Sequence, residues 1–164
     1  MQTKDRETIN AILLGGLVAG AIDIGAASLI TGRSLGYIMQ VIAGGLLGKA
    51  SFEGGAGTMV LGFLLQELMG LLIASAYVML ARGVPVLARR WITSGLVYGV
   101  VVFLVMNYVV VPLSAWKSIP HFTALKFSEN MLAMLLFGLI VAFFARRLRG
   151  STASGEKHAA SAAA

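Results

Sequence analysis

The chain has 164 residues, of which 58% are hydrophobic and only 12% charged; its mean hydropathy is +0.86 and it has no cysteine. A soluble domain carries about twice that charge fraction, so a water-soluble globule is excluded, and the missing thiols exclude disulfide frameworks, thiolate metal sites and cysteine nucleophiles. The net charge of +6 reads as basic anchoring of cytoplasmic loops rather than as nucleic-acid binding, because no phosphate-gripping patch stands outside the segment ends.

The apolar residues come in blocks of about 20, the length of a membrane-spanning helix. Met1 to Asn10 is polar and mixed in charge, and Ala11 to Ile30 is the first predicted span. A signal peptide is the competing reading. The apolar stretch is too long for one, Asp23 interrupts it, and Lys4 and Arg6 are offset by Asp5 and Glu7. Leu35 to Gly48 comes next; at 1.5 Å per residue it reaches ~21 Å, short of the ~30 Å hydrocarbon core. It reads as an interfacial or re-entrant helix, followed by a glycine-rich link from Ser51 to Gly57. Such a link lies at the surface or lines a cavity.

The second span is Thr58 to Leu80, followed by a short basic loop from Ala81 to Trp91 that holds Arg82, Arg89 and Arg90. The third runs from Ile92 to Val111, where Pro112 is expected to end it because proline cannot continue the hydrogen-bond ladder. The loop Leu113 to Phe127 leads to the fourth span, Ser128 to Ala145, which is stopped by Arg146, Arg147 and Arg149. The Ala/Ser-rich tail, 150–164, is expected to be disordered and cytoplasmic. The predicted fold is therefore all-α: a polytopic bundle over residues 1–149 with four spanning helices and one short interfacial or re-entrant helix.

With four spans, Lys4, Arg6, Arg82, Arg89, Arg90, Arg146, Arg147, Arg149 and Lys157 fall on one side, and Arg33, Lys49, Lys117 and Lys126 on the other. The positive-inside rule then puts both termini in the cytoplasm. If Leu35 to Gly48 also crossed, the split would reverse and weaken. Tyr37, Trp91, Tyr108 and Trp116 fall near segment ends, as interfacial aromatics do.

Two acids lie inside the predicted spans. Asp23 is ~18 Å from the cytoplasmic face and Glu67 ~17 Å, with Gln66 beside it; Asn107 is ~22 Å deep. A carboxylate at such depth costs about 2.5–3.5 kcal/mol on insertion scales. Three readings stay open. The acids are neutral or hydrogen-bonded and hold helices together; they form a proton or cation pathway; or one of them faces water at a thinned segment. No Lys or Arg lies at that depth to form a buried pair. Lys49 and Glu53, spaced i, i+4, form a surface pair, or Lys49 meets an anionic group at the outer mouth.

Gly16-x-x-x-Gly20, Gly44-x-x-x-Gly48 and Gly95-x-x-x-Gly99 are small-residue patterns that let helices approach closely, first within the bundle and second between copies. Nothing forms a catalytic set, so no enzyme is expected: Ser114 and His121 share a loop without an orienting acid. The glycines near Gly54 lack a following Lys-Ser/Thr, His121 and His158 are not in ligand spacing, and neither a cofactor nor a metal site is read.

Three strings carry a resemblance: Gly20-Ala-Ile-Asp23-Ile-Gly25; Gln40-Val-Ile-Ala-Gly-Gly-Leu-Leu-Gly48 with Phe52-Glu-Gly-Gly55; and Met106-Asn107-Tyr108-Val-Val-Val-Pro112-Leu-Ser114. Together they resemble a family of small, uncharacterised bacterial inner-membrane proteins with about four helices. The resemblance covers nearly all of the chain except the tail. It implies a multi-pass bacterial inner-membrane location and no particular activity. It marks Asp23, Gln40, Gln66 and Asn107 as positions of interest; Glu67 is not among them.

The leading expectation is a membrane protein that moves a proton, cation or small solute through a polar layer of Asp23, Gln66, Glu67 and Asn107, with Gln40, Lys49 and Glu53 in the re-entrant region. The alternative is a structural or accessory membrane protein without transport, whose polar residues serve packing or partner docking. Its surroundings are the lipid bilayer. A homo-oligomer is the expected working unit for transport, because four helices without an internal repeat are few for a transporter.

Overall fold

The computed structural model describes residues 3–118 and 123–162, with side chains over 6–118 and 123–147. Six helices follow in order: α1 (Thr3–Thr31), α2 (Leu35–Leu47), α3 (Gly55–Gly83), α4 (Pro85–Arg89), α5 (Trp91–Val105) and α6 (Ala124–Ala162). No strand occurs among the described residues. The expected all-α bundle is the observed one.

α1 and α3 have 29 residues each, about 43 Å of helix, longer than the ~30 Å core. The sequence reading stopped each span at the edge of its apolar block. The helices run further because nothing in the flanking polar residues breaks them. α6 likewise runs past Ala145, the expected end of the fourth span. Its backbone is helical through Ala162.

Contacts between neighbours fix the directions. Gly16 lies against Gly70 and Leu71, Gly20 against Glu67, and Asp23 bonds to Gln66. As the position rises along α1 it falls along α3, so the two are antiparallel. α3 and α5 meet at Tyr77 with Ser94 and at Ile73 with Tyr98. Gly95 packs on Gly138 and Ala142, and Gly99 on Met134 and Leu135. α6 also packs along α1, from Gly15 at Val141 and Phe144 to Lys126, whose ammonium donates to the Ile30 carbonyl. Each pair is antiparallel, giving an up-down-up-down layer.

Small residues dominate the seams. Ala11, Ala19, Ala74, Ala81, Ala142 and Ala145 join Tyr77, Val78, Phe137 and Val141 in the core. Leu14, Leu64, Leu72, Val97, Leu132 and other large apolar side chains face outward. A bundle in water would bury these. In lipid no hydrophobic force draws helices together, so small residues that allow close backbone packing take the interior. The chain is an integral, multi-pass membrane protein.

Five described segments are long and apolar enough to cross a membrane: Arg6–Thr31, Leu35–Phe52, Gly55–Gly83, Trp91–Leu113 and Ala124–Arg147. The sequence reading counted four. The fifth arises because a 3-10 turn, Gly48–Phe52, lengthens the α2 segment. The turn does not extend α2 as a straight rod: Gly48, at φ 60° and ψ −142°, breaks the helix where only glycine sits easily. Since α1 and α3 are antiparallel neighbours, α1 ends on the side where α3 begins. The α2 segment therefore leaves and returns on one side of the four-helix layer.

α2 starts at Ser34, whose hydroxyl caps the Tyr37 N–H at 3.3 Å. Its first half packs on the start of α3: Gly36 lies against Met59, and Gly62 lies so close to the Met39 carbonyl that any side chain there would collide. Its second half is covered by the chain beyond α5. Trp116 lies over Gly44 and donates from Nε1 to the Val41 carbonyl at 3.1 Å, and the Ala115 N–H donates to the Gly45 carbonyl at 2.8 Å.

Three local expectations are corrected. The basic loop 81–91 contains α4, started by Pro85 at its first helical position, where a missing N–H costs nothing. Pro112 does not end the third span. α5 widens into a π turn at Met106–Val110 and resumes for Val111–Leu113, because the widened turn absorbs the missing donor and the ring. Lys49 and Glu53 form no ion pair; both are exposed, Lys49 on the 3-10 turn and Glu53 just after it, where i, i+4 residues are not aligned.

Candidate functional site

The α1–α3 seam holds the two intramembrane acids. On α1, Gly16, Gly20 and Asp23 follow one face at helical spacing. On α3, Gln66, Glu67, Gly70 and Leu71 meet that face. The glycines make the approach possible: a Cβ on Gly70 would come within 2.9 Å of the Gly16 carbonyl oxygen. At this separation Gln66 Nε2 donates to Asp23 Oδ2 at 2.8 Å. This side-chain bond joins two of the candidate spans, and both residues are part-buried.

Glu67 sits in the same layer, turned onto Gly20. A Cβ on Gly20 would lie 3.3 Å from Oε1, 3.4 Å from Oε2 and 3.5 Å from Cδ. The carboxyl group thus fills the space that a larger residue on α1 would take. Glu67 is 9% exposed. Both its oxygens are buried and neither has a hydrogen-bond partner. Buried polar groups are nearly always hydrogen-bonded, and a carboxyl group has four acceptor positions to satisfy.

The other singled-out residues divide into near and far. Gln40 is part-buried on α2, next to Met39, whose carbonyl abuts Gly62 one turn before Gln66. It flanks the layer. Lys49, on the 3-10 turn, and Glu53, just after it, are exposed. Asn107 is buried but serves its own helix, donating from Nδ2 to the Phe103 carbonyl at 2.9 Å. That bond supplies a donor beside the π turn, a local distortion that π turns commonly need. Asn107 is not bonded to the Asp23–Gln66 pair. Glu129, near the start of α6, pairs with Lys126 at 3.1 Å. His121 and Pro120 lie outside the described residues.

Sequence reasoning missed a second polar layer. Tyr77 is 1% exposed and its hydroxyl lies 2.8 Å from Ser94 Oγ, while the Tyr98 hydroxyl donates to the Ile73 carbonyl at 2.6 Å. The rings stand 4.9 Å apart. Tyr98 lies seven residues beyond Trp91, inside the third span, and Tyr77 lies inside the second, three residues before Leu80. Tyrosines inside a span need partners for their hydroxyls when they are buried, and that was the available signal.

Among the described residues no group of three or more His, Cys, Asp or Glu side chains is placed to hold a metal ion. No family model, curated protein or solved structure matches the chain.

Proposed function

We propose that the protein handles protons across a membrane, with Glu67 as the group that takes up and releases a proton and the Asp23–Gln66 pair as its neighbour in the layer. The observation that carries this reading is the unpartnered, fully buried carboxyl of Glu67. An acid kept for packing finds donors; one that finds none costs stability without return. An intramembrane acid of that kind is a functional site by default. A proton is also the ligand that fits best. A metal cation needs several oxygen ligands around it, whereas Glu67 faces the bare backbone of Gly20. The uneven placement of basic residues supports both termini in the cytoplasm, and the family resemblance supports a bacterial inner membrane.

A second reading has its own observation. The Asp23–Gln66 bond is what a purely structural clasp between helices looks like, and it favours an accessory membrane protein without transport.

Proton flux in proteoliposomes with an internal pH dye separates the two. Under an imposed gradient, wild type should exceed empty liposomes, and Glu67→Gln should return to that background. Asp23→Asn should keep a measurable fraction of the flux. Correctly folded wild type with no flux, with and without membrane potential, removes the proton reading and leaves the structural one.

A further inference from the structure

We infer that the cavity at the start of α5 binds the headgroup of an anionic phospholipid. The cavity is about 350 Å³ and is lined by Arg89, Arg90, Trp91, Ile92 and Thr93. Arg89 and Arg90 are exposed. A third guanidinium comes from another helix: Arg146 of α6 stacks over the Trp91 ring at 5.5 Å, and Trp91 in turn stands edge-on to Phe143 at 5.7 Å. Two arginines thus line the cavity, and a third stands over the ring of its Trp91.

None of the three guanidinium groups has a carboxylate within ion-pair distance among the described residues; the ion pair found there joins Lys126 and Glu129, at the opposite end of α6. Uncompensated like charges repel one another, and a phosphate is the anion that arginine matches best in shape and charge. The position selects a lipid over a free phosphate. Ile92, on the cavity wall, and Leu96, one turn further along α5, are exposed apolar side chains. A ligand with a phosphate at the arginines and an acyl chain along Ile92 and Leu96 satisfies both ends. Basic clusters at the cytoplasmic end of membrane helices are read by anionic lipids in this way.

The test uses the full chain in neutral detergent micelles doped with equal amounts of phosphatidylglycerol and phosphatidylcholine, with bound lipid counted by native mass spectrometry. Wild type should retain phosphatidylglycerol in preference. The double variant Arg89→Gln/Arg90→Gln should weaken that preference by roughly fivefold for each charge removed, from about 1 kcal/mol per basic residue near a membrane surface. Arg33→Gln removes a charge that stacks on Tyr37, at the opposite end of the bundle, and should leave the preference unchanged. The surface arginines hold no buried contact, so all variants should fold, which circular dichroism checks. Equal retention of both lipids, or an equal loss in Arg33→Gln, overturns the inference. Displacement of the lipid by millimolar inorganic phosphate also overturns it, making the site one for soluble phosphate.

Discussion

Two polar layers lie on α3 about three turns apart, and they are built in opposite ways. At Tyr77, Ser94 and Tyr98 the hydroxyls are bonded and the rings are in contact. At Glu67 both oxygens are buried and unbonded. The tyrosine layer is what selection for stability produces where a polar group cannot reach water. The carboxyl layer spends stability. The difference between them, more than the presence of an acid in a span, marks the α1–α3 seam as the place to look for function.

The seams themselves can be set against each other first, with the largest expected effect. At the α5–α6 seam a Cβ on Gly138 would lie 2.3 Å from the Gly95 carbonyl oxygen and 2.7 Å from the Gly99 nitrogen. Neither backbone can yield. Gly138→Ala should lose about 3 kcal/mol, the upper end of ordinary overpacking, read from unfolding in mixed detergent and dodecyl sulfate micelles. Gly20→Ala meets only the end of the flexible Glu67 side chain at 3.3 Å and should lose less than about 1 kcal/mol. Equal losses would mean that the carboxyl is clamped rather than held in a yielding space.

Glu67→Met should move stability in the other direction. It removes an unbonded carboxyl and keeps most of the volume, so a gain of about 2 kcal/mol follows from the insertion cost of an acid at mid-membrane, together with loss of proton flux. A loss of stability would show that Glu67 has a bonding partner and belongs with the tyrosine layer. Tyr98→Phe is the matching test on the bonded side. It takes away the donor to the Ile73 carbonyl and should lose about 1 kcal/mol, within the range measured for hydrogen bonds between membrane helices.

Much of this architecture is legible in the sequence because membrane spans announce themselves by composition. Blocks of about 20 apolar residues gave the four long helices, and counting rise per residue from the loop charges put Asp23 and Glu67 at one depth, where they share a seam. What could not be read depends on distant contacts. Trp116 closes over α2 through a bond to Val41, 75 residues away, so the docking of that segment left no local trace. Pro112 was read by its local chemistry, and the π turn that accommodates it involves Asn107 and Phe103 together. Tyr77 and Tyr98 counted among the hydrophobic residues of the composition, which hid their hydroxyls. The unbonded state of Glu67 is a property of what surrounds it, and no pattern along the chain encodes that.

The smallest effect belongs to the Asp23–Gln66 bond, and it decides what kind of partner that pair is to Glu67. A double-mutant cycle of Asp23→Ala and Gln66→Ala isolates the pair, provided neither single variant makes new contacts. A bond between membrane helices contributes about 0.6 kcal/mol on average, because the separated helices also find partners. A coupling near that value makes the pair an ordinary clasp beside an extraordinary acid, and Asp23→Asn should then be silent in stability. A coupling two or three times larger would mean that the pair carries charge, since a bond to an ionised group is roughly twice as strong as a neutral one. Asp23, rather than Glu67, would then be the charged member of the layer, and the proton would be held one turn away from it, over Gly20.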